Sequence, residues 1–78
     1  MSDALHDQLA AEERLREIRT LYRQAFAEHG VRALWNIRQF DEPTVGQAVS
    51  VARHLRIEGN MDARRLAERI EAAARASV

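Results

Sequence analysis

The sequence predicts an all-α fold: a small bundle of three to four helices, with a long N-terminal helix and a C-terminal helical hairpin. Three observations predict it. Apolar residues recur at helical spacing on either side of Glu58-Gly59-Asn60, as expected for two amphipathic helices meeting at a corner. A capping signature, Thr44-Val45-Gly46-Gln47, stands immediately before the first of them. A heptad-like stripe marks the first third of the chain, at positions 15, 18, 22, 25 and 29.

The hairpin spans residues 44–78. Pro43 stops whatever precedes it, because a proline pushes the residue before it out of helical geometry. Thr44 then covers a free N–H three residues on, and Gln47 reaches back to complete a capping box. Val45, Ala48, Val49, Ala52 and Leu55 form the apolar stripe, with Val51 at its edge. Gly59 is expected to end the helix in the left-handed conformation. Asn60 or Asp62 caps the next helix; with Asp62 as the cap, Met61 and Leu66 take the hydrophobic-staple positions. Ala63, Leu66, Ala67, Ile70, Ala73 and Ala74 make its narrow apolar face. So much alanine lets backbones approach closely and buries little area.

A first helix runs from a cap at Ser2 or Asp3 to about His29 and is ended by Gly30. Its stripe is Leu15, Ile18, Tyr22, Ala25, Phe26 and His29, while Leu5 and Leu9 point to one side. Residues 1–10 therefore either fray or offer a second apolar strip to a partner. Arg16, Arg19 and Arg23 gather on one flank, and Glu13, Glu17 and Glu28 on the other. Such zoning is ordinary for a solvated surface, and it also suits a homodimer paired along this helix. Val31 to Gln39 reads as a short third element that turns Val31, Leu34 and Trp35 inward. Trp35 is the expected packing centre of a core with few aromatics, and Phe40 to Pro43 is a turn.

Composition narrows the classes. The 78 residues hold no low-complexity linker or repeat and make one domain, 1–78, near the lower size limit for a self-sufficient core. There is no cysteine, hence no disulfide and no thiolate metal site. No apolar run is long enough for a membrane span, and the N-terminus lacks signal-peptide character; a cytoplasmic protein is expected. All twelve basic residues are arginine, balanced by twelve acids, which argues against strong long-range attraction to nucleic acid. His6, His29 and His54 lack metal-ligand spacing. No cofactor loop and no convergent acid–base or nucleophile set is present, so the chain reads as non-enzymatic. A helix-turn-helix register about Gly59 puts His54, Glu58, Asn60, Arg65 and Glu68 at positions that should be apolar. Nucleic-acid binding through the Arg16/Arg19/Arg23 face stays as the alternative to binding a protein partner.

Two residues near the corner break local rules. Glu58 places negative charge at a helix C-terminus, which is mildly unfavourable. It is expected to pair with Arg64, Arg65 or another nearby arginine, or to meet a partner. Arg56 projects toward the apolar stripe, so it must snorkel outward or meet a carboxylate. Ile57, on the opposite side, is an apolar contact beside Glu58 if nothing covers it.

Arg56-Ile57-Glu58-Gly59, ending one helix just before another, resembles the inhibitory motif of the small antitoxins that restrain Fic-domain toxins. The position this family fills with Ser or Thr is His54 here. The resemblance covers about five residues. It implies that Glu58 enters the toxin's nucleotide site, engages an arginine there and obstructs the ATP γ-phosphate, with Gly59 as the helix-ending glycine. Arg56, Glu58 and Gly59, with the apolar Ile57, Leu5 and Leu9, are thus the expected partner-binding residues.

Overall fold

The computed structural model describes residues 3–76, with side chains from Gln8 onward. Ser2 and the side chain of Leu5 lie outside the described residues. The expected all-α architecture is present as three helices: α1 (Asp3–His29), α2 (Val45–Glu58) and α3 (Met61–Ala76). All three pairs of helices touch. Leu55, late in α2, and Ala63, early in α3, both crowd Gly59, while Val45 and Val49 share a groove with Glu71, Ala74 and Arg75, so α2 and α3 run antiparallel.

Local signals set the helix ends. At the start of α2 the Thr44 Oγ1 accepts from the Gln47 N–H at 3.2 Å, and the Gln47 Oε1 accepts from the Thr44 N–H at 2.9 Å. Both halves of the capping box are therefore made. Thr44→Ala removes one half, and it is expected to lower stability by about 1 kcal/mol; a denaturant midpoint equal to the native one would contradict that role.

At the start of α3 the choice between Asn60 and Asp62 falls to Asn60, whose Oδ1 accepts from the Ala63 N–H at 3.0 Å. Because α3 begins at Met61, the staple expected from an Asp62 cap does not form, and Met61 is exposed. Gly59 corrects a second expectation. Its φ of −95° and ψ of 170° are extended rather than left-handed. Asn60 starts α3 so soon after α2 that the chain leaves α2 directly, without a left-handed turn.

The core lies between the C-terminal half of α1 and the hairpin. Eight of its sixteen buried apolar residues are alanine, so a few large side chains supply most of the buried area. These are Ile18, Tyr22, Leu34, Leu55 and Ile70, all fully buried, together with Leu21 and Leu66. Leu21 lies outside the stripe read from the sequence. It is buried because α3 packs against that flank as well, widening the covered arc of α1. Ala-rich faces on α2 and α3 let those helices close on α1 without large intervening side chains.

Between α1 and α2 the expected third element is not a regular helix but a series of turns and bends over residues 30–44. Ala33 and Leu34 are buried and Ile37 packs against the core. Val31 and Trp35, expected inward, are 91% and 75% exposed. An irregular path has no 3.6-residue period to carry Val31 and Trp35 to the face of Leu34. Tyr22 takes the place expected of Trp35: its ring tilts against Phe26 at 5.1 Å between centroids, and its hydroxyl accepts from the Phe40 N–H at 2.8 Å.

α1 is longer than the layer it joins. At 1.5 Å per residue its 27 residues span about 40 Å, against about 24 Å for the 16 residues of α3. From Gln8 to Glu17 no side chain is buried, so this part of α1 projects beyond the core and accounts for the elongated 48 × 23 × 16 Å shape.

Candidate functional site

The corner between α2 and α3 gathers the residues singled out above. The Gly59 N–H donates to the Leu55 carbonyl at 3.0 Å, and the Arg64 N–H donates to the Asn60 carbonyl at 2.9 Å, so both helix ends are closed around two linking residues. That leaves Glu58 at the tip. It is exposed, and its carboxylate has no hydrogen bond or ion pair among the described residues. The expected pairing with Arg64 or Arg65 is absent, because those residues begin α3 on its solvent side and lead away from the end of α2.

Arg56 has the partner its position demanded. Its Nε lies 2.5 Å from the Glu71 Oε1, which joins α2 to α3 across the edge of the apolar seam. Both side chains are partly exposed, at 41% and 27%, so the pair contributes at most about 1 kcal/mol. Its main consequence is that Arg56 is occupied within the fold and is not a free contact.

Around Glu58 the C-terminal end of α1 completes a shallow groove lined by His29, Arg32, Ala33, Glu58, Gly59 and Asn60. The His29 Nε2 is buried there without a hydrogen-bond partner among the described residues. Ile57 and Met61, the chain neighbours of the corner, are 77% and 62% exposed. Ile57 is thus uncovered beside Glu58. Leu9 is also exposed, but it stands twenty residues back along α1 from His29, about 30 Å away. The fold does not bring Leu9 to the Glu58 corner, so one partner contacting both must span the length of α1.

The alternative site is built differently. Arg16, Arg19 and Arg23 line one groove on α1 together with Glu12 and Leu15. Arg19 is half-buried and its Nε donates to the Pro43 carbonyl at 3.4 Å, whereas Arg16 and Arg23 are exposed. His54, expected to face solvent, is half-buried on the side of α2 that faces the connection.

Three residues of these surfaces were not legible as such: Arg32 in the corner groove, and the exposed Val31 and Trp35. The one sequence signal is that residues 31–40 contain no acid and lack a continuous helical period. Among the described residues no three His, Cys, Asp or Glu side chains converge as a metal site would require, and no helix is long and apolar enough to cross a membrane. Comparison with protein-family models, with curated proteins and with solved structures finds no match to this chain.

Proposed function

We propose that this chain is a non-catalytic module that binds and restrains a larger protein, as a small bacterial antitoxin or regulatory subunit acting in the cytoplasm. The observation that carries the reading is the Glu58 carboxylate, exposed at a closed helical corner and unpaired among the described residues of a molecule with twelve arginines. An acid at a helix C-terminus gains nothing from the dipole, and here it gains nothing from an ion pair either. Its placement therefore suits contact with a cation outside the chain. Ile57 and Met61 beside it supply apolar area for the same contact, which is the usual company of a charged anchor in a protein interface.

In the antitoxin version the partner is a Fic-domain enzyme and Glu58 obstructs its nucleotide site. Purified together with such an enzyme, the native chain is expected to suppress AMP transfer. Glu58→Ala is expected to restore transfer while leaving the helical circular-dichroism spectrum unchanged, since the carboxylate makes no hydrogen bond or ion pair among the described residues. Undiminished inhibition by Glu58→Ala refutes the role of this residue.

A further inference from the structure

The connection between α1 and α2 presents a surface that the Glu58 reading does not use. Trp35 is 75% exposed and Phe40 is 38% exposed. Residues 31–40 hold Arg32 and Arg38 and no acid, and the Arg38 guanidinium lies 5.3 Å from the centroid of the Phe40 ring. Two bonds pin this segment to α1: the Phe40 N–H to the Tyr22 hydroxyl at 2.8 Å, and the Arg19 Nε to the Pro43 carbonyl at 3.4 Å. They lay residues 38–43 along the side of α1 that carries the groove of Arg16, Arg19 and Arg23. The connection that exposes Trp35 and Phe40 thus runs beside that arginine groove, in a molecule of zero formal net charge.

We propose that this face binds single-stranded nucleic acid, with Trp35 as the stacking platform and the arginines as the phosphate contacts. An unpaired base has a free π-face for an exposed indole, and a phosphate chain follows a row of guanidinium groups. A base pair inside a duplex has no such free face. The arginines of the connection and of the adjoining groove are Arg16, Arg19, Arg23, Arg32 and Arg38, against the acids Glu12, Asp41 and Glu42, with Glu58 beside Arg32 at the far end. The neighbourhood of Trp35 separates this reading from a protein interface. A tryptophan hot spot between proteins sits in a pocket that the complex desolvates, whereas the exposed chain neighbours of Trp35 are mostly polar, Arg32, Asn36, Arg38 and Gln39 against the apolar Val31 and Phe40.

Trp35 is the one tryptophan of the chain, so its fluorescence reports the platform directly. Titration of the full chain with a thymidine or uridine oligonucleotide of about twelve residues, in about 20 mM salt, is expected to quench that fluorescence. Raising salt from about 50 to 200 mM is expected to weaken binding about twentyfold, as three phosphate contacts require. With a labelled oligonucleotide read by anisotropy, Trp35→Ala is expected to lose about tenfold in affinity at an unchanged helical spectrum. Arg38→Ala is expected to lose about fivefold. Absence of quenching at low salt overturns the proposal and leaves Trp35 to a protein partner. Equal binding of a duplex of the same length, or unaltered affinity after Trp35→Ala, overturns it as well, because charge alone would then be responsible.

Discussion

Tyr22→Ala is expected to lower the melting temperature by about 15 °C or more. The domain has a total stability of about 4 to 12 kcal/mol for its size, and truncating a fully buried aromatic side chain costs about 3 to 5 kcal/mol. Two features place Tyr22 at the high end. Half of the buried apolar residues are alanines, which have no longer side chains to swing into the vacated space, so the cavity stays open. The hydroxyl also holds the Phe40 N–H, so the same change releases the connection that carries Leu34 and Ile37 into the core. Tyr22→Phe isolates that second part. It keeps the ring against Phe26 and removes only the acceptor, at an expected cost of about 1 to 2 kcal/mol. Thermal and urea melts of both variants check the scheme. A Tyr22→Ala protein melting within a few degrees of the native one would mean that this residue does not centre the core.

Gly59→Ala is the second large expected effect, a loss of about 2 kcal/mol with the corner forced open. The backbone there is extended and would accept any residue, so the requirement for glycine is one of space. A Cβ at this position would overlap the Ala63 Cβ and lie 2.5 Å from the Leu55 carbonyl oxygen. Neither neighbour can yield cheaply, because one is backbone in the last turn of α2 and the other is buried between the helices. Gly46→Ala is the matched control. Its added Cβ meets only the Thr44 Oγ1, at 3.9 Å, and alanine is the better helix former, so stability is expected to rise by about 0.5 kcal/mol. Equal shifts in the denaturant midpoints of the two variants would remove the steric account of the corner. The result also bears on Glu58, since an opened corner turns its carboxylate away from the apolar side chains on either side.

The accuracy of the sequence reading followed the range of the forces involved. Capping at Thr44 depends on atoms within three residues and was legible in full. So was the burial of Ala63, Leu66, Ala67, Ile70, Ala73 and Ala74, where one clear period faces one seam. The need of Arg56 for a carboxylate followed from its position, although Glu71, fifteen residues away, could not be identified as that carboxylate. Trp35 was misplaced because the expectation rested on composition: a core short of aromatics was assumed to use its largest one. The left-handed Gly59 failed for a related reason, since glycine marks both unusual backbone angles and close approach, and only the position of Ala63 distinguishes them.

By itself the sequence determined the all-α class, the C-terminal end of α1, both ends of α2 and the start of α3 to within a residue or two, and the face that α3 buries. Those follow from hydrogen bonds and periodicity inside single segments, which need no knowledge of what packs where. Only the tertiary structure decided that Tyr22 rather than Trp35 centres the core and that α1 outruns its neighbours. It alone left Glu58 unpaired beside exposed Ile57, and drew the arginine flank of α1 alongside the aromatic connection. Each of these depends on pairs of residues far apart in the chain. Their contacts arise when alanine-rich faces close the helices together, and no local propensity encodes which surfaces that closure leaves bare.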